Sequence, residues 1–256
     1  MRAWERNAAN LSASLSFYGP AEIRGGVKLI NSAVSYSVFN IALLTDPVSD
    51  LDGELERRIQ LAAGHYGRLG KQWSFWVCEH LLSPRTASRL TRAFPAWGMQ
   101  CIAESPGMEL DELAPPRRPL PDLSYRRVSD SDTRADFAHL VANCFHIPTD
   151  ISHRIYGEEG AWSGPLEVWL GYSGGCAVAS TAVIAAAGAV GIYSVATQPG
   201  FRGKGLAEAV MRHAIAQMRQ RGEHGPLVLQ SSPSGLELYR RLGFRRNTRY
   251  WVFSTE

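Results

Sequence analysis

A chain of 256 residues is long enough for one large domain or two ordinary ones, and its 45% hydrophobic content supports a sizeable core. A net charge of +3 is too small to name a polyanionic partner, and Cys78, Cys101, Cys144 and Cys176 have neither paired nor metal-like spacing, so reduced core thiols and no metal are expected. The longest apolar run, Cys176 to Ala187, is too short and too interrupted to cross a bilayer, and Glu5, Asn7 and Asn10 stand where a secretory segment needs apolar residues; a cytoplasmic protein without a membrane partner is expected.

In chain order, residues 27–45 are β-rich with a turn near Asn31-Ser32. Asp52-Gly53-Glu54 begins a helix through Leu55, Ile59 and Leu61, and residues 72–78 are aromatic and strand-like. Ser83-Pro84 starts a further helix with Leu90 and Phe94 inside, and residues 99–104 are again strand-like. Four prolines then crowd residues 112–121, a stretch that forms neither a regular helix nor a central strand. The predicted organisation is a first unit over 1–114, a proline-rich linker over 115–121 and a second unit over 122–256.

The second unit opens with a strand from Leu123 to Val128, after which Ser129 or Asp130 caps a helix through Phe137, Leu140, Val141 and Cys144. Leu166–Gly171 and Cys176–Ala187 read as strands joined by Ser173-Gly174-Gly175, and Gly188 precedes a third strand that stops at Gln198-Pro199. A turn of glycines and bases, Arg202-Gly203-Lys204-Gly205, follows and leads into a helix from Leu206. Strand, tight turn and helix place unpaired N–H groups and the positive end of a helix dipole together, a ready phosphate site. It is not a Walker loop, because no hydroxyl follows Lys204, and not a dinucleotide fingerprint, because Glu208 stands where the third glycine belongs. Leu227–Gln230 is a short buried strand, and Ser231 to Pro233 starts a helix that Gly243 ends. The order β-α-α-β-β-β-α-β-α-β results.

Arg202, Gly205 and Ala207 form Arg-x-x-Gly-x-Ala, and Leu238-Tyr239-x-x-Leu242-Gly243-Phe244 closes the last helix. On both motifs, residues 122–256 resemble the GNAT superfamily of N-acetyltransferases. The resemblance implies an α/β (α+β) fold with a mixed, mostly antiparallel twisted sheet flanked by helices, and acetyl-CoA as acyl donor with no metal. It implies that Arg202, Gly203, Lys204, Gly205, Leu206 and Ala207 hold the pyrophosphate, that Ser194, Val195, Ala196 and Thr197 bond the pantetheine arm, and that Ser232 replaces an asparagine common in relatives. Tyr239 is the implied general acid. Tyr193 stands where many relatives carry a glutamate base, and a phenol with a pKa of ~10 is a poor proton acceptor at neutral pH, so water or another segment is left to take the proton.

The implied acceptor is a primary amine of a small molecule or peptide. The loop after the first helix lines its side in this fold; here it carries Phe145, His146, Asp150, His153, Tyr156, Glu158, Glu159 and Trp162, with Phe145, His146, Tyr156, Trp162 and Tyr193 the substrate candidates. From residue 200 onward ten basic residues face four acidic ones, a field that suits coenzyme phosphates; no recognised motif supports nucleic acid. The first unit lacks the glycine turn and the closing motif, yet its element order resembles a worn second copy, as in tandem GNAT proteins. An unrelated cap over the cleft is the other reading. A monomer or homodimer is expected, and a non-catalytic acyl-CoA-binding module is the alternative to an enzyme.

Overall fold

Alternating and continuous apolar runs pair into one sheet that passes through both halves of the chain. The structure, a computed structural model, describes residues 1–51 and 53–255; Asp52, read above as part of a helix start, lies outside the described residues. The first half comprises α1 (Ala3–Leu15), β1 (Ala21–Arg24), β2 (Val27–Ile30), β3 (Ile41–Leu44), α2 (Glu54–Leu69), β4 (Ser74–Cys78), the single turns α3 (Pro84–Ala87) and α4 (Leu90–Ala93), and β5 (Gln100–Leu110). The second comprises β6 (Ser124–Arg127), α5 (Ser131–Phe145), α6 (Thr149–Tyr156), β7 (Glu167–Ser173), β8 (Cys176–Ala186), β9 (Ala189–Thr197), α7 (Leu206–Gln220), β10 (Leu227–Gln230), α8 (Leu236–Leu242) and β11 (Arg245–Ser254).

The eleven strands lie in the order β1-β2-β3-β4-β11-β5-β10-β9-β8-β7-β6. Among the paired strands of the described residues, β3/β4 and β9/β10 are parallel, and each parallel pair flanks a helix, α2 and α7 respectively. The sheet is therefore mixed and mostly antiparallel, as expected. Three strands, a helix, a strand, short helical structure and a last strand recur in both halves.

The last strands interlock the units. β11 is inserted between β4 and β5, and β5 is inserted between β11 and β10. Tyr250 of β11 pairs with Cys78 on one side and Ser105 on the other, while Met108 of β5 pairs with Leu229 and Arg246. The proline-rich stretch divides the chain but not the sheet.

Several local expectations shift. Asp130 is the cap of α5, accepting from the Thr133 N–H at 2.8 Å. Ser83 caps α3, but the expected single helix through Phe94 is broken into α3 and α4. α8 starts at Leu236 rather than at Pro233, because Ser232 first closes a turn, its carbonyl and hydroxyl accepting from Gly235 N–H at 3.1 and 3.3 Å.

Helix α1 is the element that apolar periodicity does not announce. Its buried face contains Asn7, Asn10 and Ser14 beside Leu11 and Leu15. The asparagines are buried because they bond to the sheet. Asn7 Nδ2 donates to the carbonyls of Met108 and Leu229, both at 3.2 Å, and Asn10 Nδ2 donates to those of Ala186 at 2.9 Å and Ala189 at 3.1 Å. A buried amide with all its partners is tolerated where an unpaired one costs ~1–3 kcal/mol.

Candidate active site

Strand β9 is built to separate from its neighbour. Its pairing with β10 covers only Val190↔Leu227 and Gly191↔Val228. On the other side, Ser194 and Val195 oppose the single Thr181 of β8, a bulge with Ser194 at φ 45°, fixed by a Ser180 hydroxyl bond to the Ser194 carbonyl at 2.8 Å. Beyond Gly191 the β10-facing edge of β9 is free of strand pairing, and a cleft opens there.

The turn after β9 supplies the cleft's anion-facing end. Gly203 (φ 76°) and Gly205 (φ 84°) are left-handed, a conformation strained for residues with a Cβ, and Gly205 is the N-cap of α7. The first helical bond runs from Ala209 N–H to the Gly205 carbonyl, so the N–H groups of Leu206, Ala207 and Glu208 have no acceptor within the helix. Arg202 folds back, its Nε 3.2 Å from the Thr197 carbonyl, and Lys204 stacks its ammonium 5.2 Å over the Phe201 ring.

The cleft encloses about 920 Å³ and is lined from five segments: residues 114–118, the end of α5, the end of β9, the glycine turn with the start of α7, and residues 232–243. It holds Val195, Ala196, Thr197, Arg202, Gly203, Gly205, Leu206, Ala207, Ser232 and Tyr239 of the predicted set; Ser194 and Lys204 flank it without lining it. An elongated phosphate-bearing thioester suits this volume, basic turn and unpaired strand edge. Tyr239 is 7% exposed, meets Phe244 edge-to-face at 5.7 Å, and has no hydrogen-bond partner among the described residues; burial raises its phenol well above the ordinary range. Among the described residues no group of His, Cys, Asp or Glu could hold a metal ion, and no helix is long and apolar enough to cross a membrane.

The predicted substrate residues divide. Phe145, 45% exposed, lies on the cleft next to Cys144, which sequence reasoning left in the core. Burial raises the Cys144 thiol, with the neighbouring Arg202 pulling it back. His146 is the exposed left-handed C-cap of α5, outside the cleft. Tyr156 is buried between Phe17 and Phe137, and Trp162 donates its indole N–H to the Tyr156 carbonyl at 2.8 Å. Tyr193 is turned away from the cleft lining toward α1, where its hydroxyl donates to Asn10 Oδ1 at 2.7 Å. Gly191 shares that contact: a Cβ there would overlap the same Asn10 oxygen. Asp150, His153, Glu158 and Glu159 are exposed and lie outside the cleft. Of the cleft-lining residues 114–118, the sequence places Ala114 in the first unit and 115–118 in the linker; Arg117-Arg118 is the one signal there that marks a site.

Residues 135–244 match the Acetyltransferase (GNAT) family. A GCN5-related N-acetyltransferase from Kribbella flavida superposes with a TM-score of 0.73 at 17% identity, over 99% of this chain and 96% of that one. One from Sphaerobacter thermophilus gives 0.62 at 16%, over 99% and 93%. A tandem GNAT protein from the clavulanic acid biosynthesis pathway gives 0.58 at 12%, over 89% and 77%. No curated protein matches. Residues 135–244 thus match the GNAT family model, and the whole chain shares the fold of these structures.

Proposed function

We propose that the protein is an acetyl-CoA-dependent N-acetyltransferase, with residues 122–256 as its catalytic unit, acting on a primary amine of a small molecule or peptide in a ternary complex. The observation that carries this reading is the meeting of the unpaired end of β9, the glycine turn and Tyr239 in one cleft. In this reading the N–H groups of residues 203–208 bind the pyrophosphate, residues 194–197 bond the pantetheine amides, and the Ser232 hydroxyl adds a contact at the α8 side. Holding thioester and amine together supplies most of the rate, with backbone N–H groups of β9 polarising the carbonyl.

The amine, having lost one proton to water, attacks the thioester carbon. The carbon–sulfur bond breaks, the departing thiolate takes the Tyr239 proton, the second amine proton leaves to solvent, and the Tyr239 phenolate takes a proton back from solvent. The position of Tyr239 on the cleft wall, with no hydrogen-bond partner among the described residues, supports a donor role. Phe145 at the rim offers an apolar contact for an acceptor.

A second reading, a module that binds acyl-CoA without turnover, is favoured by α1: Asn10 and Tyr193 pack against each other where many relatives present a base. Thiol release from acetyl-CoA across an amine library tests the choice. Release dependent on a particular amine supports the enzyme; CoA binding without release for any amine class supports the binding module.

A further inference from the structure

The segment between the two units is held as a rigid strap, not a free tether. Leu113 packs against the cluster containing Tyr239 and Leu242, and Leu120 packs against the cluster containing Leu206 and Val210. Just after the first anchor, Arg212 of α7 donates to the Ala114 carbonyl at 2.7 Å while its Nε pairs with Glu208 at 2.9 Å; just before it, Arg219 reaches the Asp111 carbonyl at 3.4 Å. Pro115, Pro116, Pro119 and Pro121 restrict the backbone further. The strap crosses the glycine turn: Pro121 and the Arg118 guanidinium lie 3.6 and 3.4 Å from where a Cβ on Gly205 would sit. Arg118 Nη2 is 3.5 Å from the Gly203 carbonyl, a long bond to a neutral acceptor. Arg117 and Arg118 both line the cleft.

We infer that Arg118 clamps the coenzyme pyrophosphate against the glycine turn, so that the connection between the units forms one wall of the coenzyme site. This rests on the coenzyme reading of the cleft given above. The geometry favours it because the guanidinium hangs over the N–H groups of the α7 start, and a planar fork matches phosphate oxygens that the weak Gly203 bond leaves it free to take. A guanidinium on a pinned strap loses less freedom on binding than one on a flexible loop.

Calorimetric titration of the full chain with CoA and with dephospho-CoA tests it. Arg118 is exposed, so Arg118→Met is expected to fold as the unaltered protein does. Arg24→Met, on β1 at the far edge of the sheet, removes the same charge as a control. Arg118→Met should weaken both ligands equally, roughly 10-fold, as for loss of one charge-assisted bond, while Arg24→Met leaves both unchanged. Unchanged affinity in Arg118→Met, or a loss seen with CoA but not with dephospho-CoA, overturns the pyrophosphate clamp. If the unaltered protein binds neither ligand, the coenzyme reading itself falls.

Discussion

The two halves contain the same helix start and use it differently. Gly53 caps α2 with φ 82° and ψ 0°, and Gly205 caps α7 with φ 84° and ψ 7°; each helix leads from the first strand of a parallel pair to the second. Around Gly205 the side chains are Arg202, Lys204 and the strap's Arg118, with open volume in front of the N–H groups. Around Gly53 they are Asp50, Glu54 and Glu56, with Arg57 Nη1 3.5 Å from where a Cβ on Gly53 would sit and Arg58 paired with Glu54 at 2.7 Å. There Glu54 accepts from the Ser49 N–H at 3.1 Å and from its hydroxyl, and Asp50 accepts from Ser83 and from Thr86 at 3.1 Å. These bonds hold the Glu54 and Asp50 carboxyls below their usual range, with the serine hydroxyls the largest cause. In the proposed reading, backbone geometry that favours an anion is used for one only where the surrounding side chains leave it open. In the first half the chain's own carboxylates, Glu54 and Asp50, take up hydrogen-bond donors around the turn.

The comparison is broken most severely by separating the halves. A fragment of residues 122–256 leaves β11 without both neighbours and β10 without β5, and loses the asparagines that cap sheet carbonyls. It should fail to give a cooperative thermal transition by circular dichroism; a folded fragment that binds CoA would mean that the interlocked strands are dispensable.

Next in size is the pair of glycine caps. Gly205→Val puts a β-branched residue at a left-handed position facing the cleft and should weaken CoA at least ~100-fold, whereas Gly53→Val should lower the melting temperature alone. Calorimetry should return one site per chain for both the unaltered protein and Gly53→Val. A stoichiometry of two would make the first half a working copy.

Tyr239→Phe keeps the ring packing on Phe244 and should lower turnover by about 100-fold with little change in CoA affinity, since a general acid is worth ~100- to 10,000-fold. Wild-type turnover under rate-limiting chemistry would leave Tyr239 a packing residue, as Tyr66 is in the first half, where its hydroxyl donates to the Ile30 carbonyl at 3.0 Å.

The smallest effect concerns the seam between the units. Asn10→Ala strands sheet carbonyls and the Tyr193 hydroxyl, and should destabilise the chain by about 2 kcal/mol in denaturant titration. In the Tyr193→Phe background the cost of Asn10→Ala should shrink by about 1 kcal/mol. Purely additive costs would mean that the pair is not coupled.

What residue order alone determined is everything that acts within a few positions. The hairpin at Gly174-Gly175, the Asp130 and Ser83 caps, the left-handed Gly205 and Gly243, and the strand–turn–helix at 190–207 follow from local torsional preference and apolar period, which neighbours in the chain are enough to express. Tertiary structure alone decided the insertion of β5 and β11 into each other's halves, because an apolar strand carries no record of which edge it will pair with. It decided that Asn7 and Asn10 lie buried, since amides read as solvent-facing until carbonyls 101 to 222 residues away accept from them. It turned Tyr193 toward α1, drew Tyr156 and Trp162 into the aromatic core, and made a cleft wall of a proline-rich connection. In each case the residue's chemistry was visible from the start, but its partner was fixed by long-range packing, which no local pattern encodes.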